Sequence, residues 1–179
     1  MSLDIKQNII QHIVYEFISE FDTASTVDFI KKYSFERNGM LTTFFDTTDI
    51  LKKQELFDLN KQVNSVLEMF TQQVLKKQNF NITHSWLQAY SKKDSHNLHV
   101  HGSDHNDYSL ILYIQCTENS ASTTFFSPGH PYIESPEINI KPEKNKFVIF
   151  SGSMPHQVGP NNDDERIVLS LNFQVDKTY

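Results

Sequence analysis

From residue 80 onward the chain breaks into short apolar segments, each closed by a stretch of turn formers. The segments are "NITHSWLQAY", "LHVH", "YSLILYIQC", "STTFF", "EINI", "KFVIF" and "RIVLSLNFQV"; the breaks include "SPGHP", "KPEKN" and "GPNNDD". Segments this short, rich in β-branched and aromatic residues, read as strands rather than helices. A run of such strands can bury its apolar faces only in a sandwich or a barrel. Leu112, Ile114, Phe147, Ile149, Leu169, Leu171 and Phe173 are the expected core.

The first part of the chain has a different character. Apolar residues from Leu56 to Val74 recur at three- and four-residue steps, which predicts an amphipathic helix between Lys52 and Lys77. Asp22 or Thr23 caps a shorter helix ending at Lys32, and "HIVYEFISEF" before it reads as a strand. The expectation is one domain over residues 1–179, with residues 1–79 as helical support and 80–179 as a jelly-roll core.

Composition narrows the function. The chain has 38% hydrophobic and 21% charged residues and a net charge of -6, with no stripe dense in Lys or Arg, so it carries no nucleic-acid footprint. No apolar run is long enough to span a membrane, and "MSLDIKQNII" lacks a signal-peptide pattern. The single cysteine, Cys116, excludes an internal disulfide and is expected to be a buried thiol. A reducing, cytoplasmic setting is expected. Oligomeric state has no signal in the sequence.

Four of the eight histidines fall within "HNLHVHGSDHND", residues 96–107. In a strand, residues i and i+2 share a face, so His99 and His101 project together and can occupy neighbouring corners of one metal. His105 and Asp107 do so only if "GSDHND" is extended, and that stretch is rich in turn formers. His96 stands an odd three residues before His99, on the wrong face for a strand, and is expected at the surface. Asp104 and Asp107 remain alternative carboxylate donors. His156, after the apolar strand "KFVIF" and a tight turn, supplies a third ligand. Arg166 opens the last strand, and its fork suits the carboxylate of a bound acid. His84, His105 and His130 have no partner at useful spacing, and Trp86 reads as a core aromatic.

These segments together resemble the Fe(II)/2-oxoglutarate-dependent oxygenases, in their prolyl-hydroxylase-like branch. The likeness runs from Trp86 to Phe173: "WLQAY", "HVH", "SLILYIQC", "KPEKNKFVIFSGSMPHQVGP" and "ERIVLSLNF" stand where the family has its metal strand, distal histidine and arginine-bearing strand. The resemblance implies a double-stranded β-helix, the cupin-like jelly-roll, behind N-terminal helices. It implies Fe(II) on His99, His101 and His156, with 2-oxoglutarate on Arg166 and Tyr90. It implies a dioxygenase that uses O2 to hydroxylate a peptide residue or small molecule, with succinate and CO2 as co-products. The usual triad has a carboxylate where this chain has His101. The turn glycine before the distal strand is replaced by Asn145, which tolerates positive φ. A cupin-like metal-binding protein without oxygenase activity is the alternative reading.

Overall fold

A computed structural model describes residues 13–33, 36–37, 40–45, 49–127, 138–163 and 166–176, with the backbone alone for 36, 37 and 40. Two antiparallel sheets face each other. The larger contains β1 (Val14–Ile18), β2 (Glu36–Arg37), β3 (Met40–Thr42), β4 (Phe80–Tyr90), β6 (Asp107–Gln115), β9 (Lys146–Ser151) and β11 (Arg166–Val175), in the order β1-β9-β6-β11-β4-β3-β2. The smaller contains β5 (His96–His99), β7 (Thr123–Phe125), β8 (Ile138–Ile140) and β10 (His156–Val158), in the order β5-β10-β7-β8. Two such sheets make the expected jelly-roll, with β10 as a strand the sequence reading lacks.

Alternation along the central strands divides the interior in two. Leu110, Leu112, Phe147, Ile149, Leu169 and Leu171 point to one side of the large sheet, against the helices. Ile111, Tyr113, Val148, Phe150 and Val168 point to the other side, into the space between the sheets. The helices α1 (Ala24–Lys32) and α2 (Phe57–Met69) bury Ile30, Leu59, Val63, Val66 and Leu67 in the first cluster.

The helix expected over residues 52–77 is broken up. Short 3-10 turns at Ile50–Lys52 and Gln54–Leu56 precede α2, and a π turn follows it over Phe70–Val74. The wider turn coincides with full burial of Phe70, whose ring meets Tyr15, Tyr108 and Phe173 edge-on or nearly so. Lys76, at φ 56°, ends the segment. At α1 Thr23 holds the cap position, but the side-chain bond comes from Asp22. The Asp22 carboxylate accepts from the Ala24 N–H at 2.9 Å, while the Thr23 hydroxyl turns away to donate to the Ile114 carbonyl at 3.3 Å. Asn145 has φ 67°, the conformation the missing glycine would supply, and its side-chain amide donates to the Phe21 carbonyl at 3.0 Å.

The N-terminal half supplies strands as well as helices: β1 pairs with β9, and β3 pairs with β4. The second strand of the histidine stretch is also shifted. It spans His96–His99 rather than residues 98–101, so His101 lies just beyond it.

Leu169 is fully buried on the helix side of β11, facing away from the histidines. Leu169→Ala should lower the unfolding free energy by about 2–5 kcal/mol in urea melts. Metal affinity should stay unchanged, because the site lies on the opposite face of the sheet.

Candidate metal centre

The centre is built by strand pairing. In the β5–β10 ladder His156 stands directly opposite His99, and their rings lie 4.3 Å apart. His101 follows the end of β5 in a loop pinned to the end of β9: the N–H groups of His101 and Gly102 both donate to the Gly152 carbonyl, at 2.8 and 3.0 Å. The three residues each offer a nitrogen within 4.8 Å of the other two.

The ring orientations fix which nitrogens face inward. His99 Nδ1–H donates to the Asn97 carbonyl at 2.6 Å, and His156 Nδ1–H donates to the Met154 carbonyl at 3.0 Å. Each imidazole therefore presents its Nε2 lone pair to the centre. The Nε2 atoms of His101 and His156 are 3.2 Å apart. Two nitrogens bound at about 2.1 Å to one ion at a right angle lie about 3.0 Å from each other. The pair is thus spaced as neighbouring ligands are, with a shared proton able to hold the metal's place.

Burial lowers the pKa of all three imidazoles. His101 and His156 fall to about 3, with the neighbouring His99 adding to the effect, and His99 is itself lowered. Neutral imidazole is the metal-binding form, so the site is in its ligating state across the physiological range.

Asp107 does not face this centre. Its carboxylate accepts from the Asp104 N–H at 3.1 Å and from the Gln174 side chain at 2.9 Å, which closes the loop that carries His101. The fit is tight: a Cβ on Gly102 would fall 2.5 Å from Asp107 Oδ2. Asp104 accepts from Asn106 and pairs with exposed His105 at 3.0 Å. Both acids and His105 build the turn. His130 lies outside the described residues.

Two positions differ from the sequence expectation. His96 is half-buried, and its ring stacks on His99 at 4.2 Å and 21°. The ladder shifts register here, since Val158 pairs with His96 while His156 pairs with His99. Three steps on β5 match two on β10, and this bulge brings an odd spacing onto one face. Trp86 is buried as expected, yet it also lines the site, 5.7 Å from the His101 ring. His84 packs against both Phe44 and Trp86, outside the triad.

Arg166 sits behind the histidines, 1% exposed. It pairs directly across the ladder with Tyr90, and its guanidinium lies 4.3 Å over that ring. Its Nε–H donates to the Ala121 carbonyl at 3.1 Å and one Nη to the Thr123 hydroxyl at 3.2 Å. The other, Nη1, is buried without a hydrogen-bond partner among the described residues. Asp163, three residues before it, accepts from Thr117 and Ser120, and Asp164 lies outside the described residues. Tyr90 Oη lies 3.5 Å from His96 Nδ1, and burial raises the Tyr90 pKa against the lowering effect of Arg166. A narrow cavity with about 20 Å³ free runs from the three imidazoles to Tyr90 and Arg166.

No family model and no curated protein matches the chain. Solved structures do. A viral collagen prolyl hydroxylase from Paramecium bursaria Chlorella virus-1, in complex with 2-oxoglutarate, aligns over 92% of this chain and 96% of its own, with TM-score 0.63 and 16% identity. The non-haem α-ketoglutarate-dependent epimerase of nogalamycin biosynthesis aligns over 90% and 77%, with TM-score 0.68 and 8% identity. A 2OG-Fe(II) oxygenase-family oxidoreductase from Burkholderia pseudomallei aligns over 70% of this chain, with TM-score 0.57 and 13% identity; this chain covers 58% of that protein's length. The chain has the double-stranded β-helix fold of these oxygenases.

The lowered histidine pKa values have a stability consequence. The unfolded chain protonates its histidines near 6.5, whereas the folded chain resists protonation down to about 3 at His101 and His156. Between those values the unfolded state binds more protons, so stability falls as pH falls. The melting temperature of metal-free protein should therefore drop as pH is lowered from about 6.5 toward 3. A His101→Asn/His156→Asn double variant should show a flatter profile across this window. An equally steep profile in the variant would place the loss elsewhere.

Proposed function

We propose that this chain is an iron(II)- and 2-oxoglutarate-dependent dioxygenase that hydroxylates an organic substrate. The observation that carries the reading is the buried, unpartnered Nη1 of Arg166, in the same cavity as three converging Nε2 atoms. A buried guanidinium N–H without an acceptor is costly. A carboxylate reaching it from a metal on the histidines satisfies it. No other part of the described cavity needs an anion.

His99, His101 and His156 hold iron(II) through Nε2, with the first and last oriented by their Nδ1–H bonds to backbone carbonyls. Three neutral donors offset none of the ion's charge, which favours a dianionic diacid as the next ligand. Arg166 binds the far carboxylate of 2-oxoglutarate, and the Tyr90 hydroxyl stands beside it. When bound, iron(II) with 2-oxoglutarate and O2 supplies an oxidising centre that releases succinate and CO2 and transfers oxygen to the substrate. Ile111, Phe150 and Val168 line the cavity and keep it dry. The cavity is narrow, so seating the diacid requires lining side chains to part. A single free thiol and a ferrous centre both suit a reducing, cytoplasmic setting. Among the described residues no helix is long and apolar enough to cross a membrane. The alternative, a cupin-like binding module, leaves the Arg166 Nη1 without a purpose.

Calorimetry on anaerobic, iron-loaded protein tests the assignment. Arg166→Ala should weaken 2-oxoglutarate binding by about 2–5 kcal/mol, with iron affinity nearly intact. Arg166→Lys, which keeps the charge but loses the fork, should lie between the two and serves as a control for folding. Unchanged diacid affinity in a folded variant contradicts the reading.

Succinate formation under air, with Fe(II) and ascorbate, tests the reaction. Slow iron-dependent turnover should occur without added substrate. His101→Asp should retain measurable turnover, and His101→Ala should lose iron. Bound iron and 2-oxoglutarate with no succinate, through a panel of candidate substrates, favours the binding module.

A further inference from the structure

A second cavity opens on the outer side of the same histidines. It holds about 300 Å³ and is walled by Phe44, Phe45, Trp86 and Val100, with His99 and His101 at its floor. We propose that this cavity binds the substrate as a flat, uncharged ring of a free small molecule; the inference rests on the oxygenase reading of the histidine centre.

The walls form a continuous aromatic path from the surface to the centre. Phe45 meets Phe44 at 4.9 Å and 76°, Phe44 meets Trp86 at 5.0 Å and 89°, and Trp86 meets His101 at 5.7 Å. At the mouth, Phe45 and Val100 are each 53% exposed. Apolar surface left open to water beside a reactive centre marks a binding face. Edges and faces presented at right angles suit a planar ring, which gains stacked and edge-on contacts together.

Charge argues the same way. None of the described residues lining this cavity is Asp, Glu, Lys or Arg. Imidazoles bound to a metal are neutral. A carboxylate or ammonium placed here would lose hydration without a counter-charge. The charge available to the site lies on the other side, at Arg166, so the co-substrate and substrate cavities differ in the ligand each accepts.

The polar groups of the wall argue against a peptide. Gln88 Oε1 accepts from the Trp86 indole N–H at 3.3 Å, and the Thr42 hydroxyl accepts from the Phe44 N–H at 3.2 Å. Both oxygens already accept within the wall, which leaves few side-chain acceptors for the N–H groups of a peptide. A puckered ring carried on a peptide brings flanking amides that need partners of their own.

Fluorine NMR tests this with 4-fluorobenzyl alcohol, 4-fluorobenzoate, 4-fluorobenzylammonium and N-acetyl-4-fluoroproline methylamide, each added to metal-free and zinc-loaded protein. Trp86, the only tryptophan, lines this cavity and the narrower one beside it, so its emission is read together with Phe45→Lys, which alters this cavity alone. The alcohol should show saturable line broadening and shift Trp86 emission with the same midpoint. The two ions and the prolyl amide should bind at least about tenfold more weakly. Phe45→Lys, at an exposed position, should weaken the alcohol about tenfold or more while leaving melting temperature and zinc affinity unchanged. Equal or tighter binding of an ion or the prolyl amide overturns the proposal, as does no saturable binding in either form or an unaffected Phe45→Lys. Calorimetry with 2-oxoglutarate on the same preparation separates the two readings. Diacid binding without ring binding sinks only the substrate class; ring binding without diacid binding sinks only the oxygenase.

Discussion

Pairing of the short strands β5 and β10 is what the centre depends on. It sets His99 opposite His156, and each ring is then locked by an Nδ1–H bond to a carbonyl two residues earlier in the chain. A cross-strand pair alone gives two ligands. The third arrives because Gly152, at the end of β9, accepts from two successive N–H groups of the loop after β5. Asp107 closes that loop from the far side, and Gly102 lets it approach. The acids near the histidines thus act through backbone geometry. His101 takes the position where a carboxylate would have been the more common choice.

A single buried cation organises the rest. Arg166 is held by Tyr90 below it and by Ala121 and Thr123 at its side, and its Nη1 remains to be satisfied. The three imidazoles are kept neutral by burial, so the described interior offers an anion one strong attachment besides a metal. In the proposed reading, that asymmetry gives the diacid a direction: one end to the metal, the other to Arg166. The aromatic cavity on the opposite side of His99 and His101 has no such attachment.

Much of this was legible in the sequence where a strand is long and its neighbours are its own. "RIVLSLNFQV" reads off with its bounds intact, because ten apolar-rich residues pair along their length with β4 and β6, with one register shift against each. Arg166 was legible because its place at the start of a strand is a local property, whereas His101 joins His99 and His156 through the loop held by Gly152 and not through strand alternation. The shorter elements were not. Strand β10 has three residues and β2 two, too few to show a period. At His96 a bulge, fixed by the partner strand, reverses the face that spacing alone implies. The helix over 52–77 was drawn too long, since the apolar spacing continues through a turn that widens where Phe70 packs. Nothing local marks Phe44 and Phe45 as the mouth of a cavity. They reach the histidines through the pairing of β3 with β4.

The most direct test of the account is a crystal structure grown without oxygen, with Fe(II) and 2-oxoglutarate. The account predicts one ion bonded to Nε2 of His99, His101 and His156 at about 2.1 Å. It predicts the diacid chelating that ion at one end and meeting Arg166 Nη1 at the other. An ion held through Asp104 or Asp107, or a diacid that binds the metal but leaves Arg166 without a partner, would contradict it.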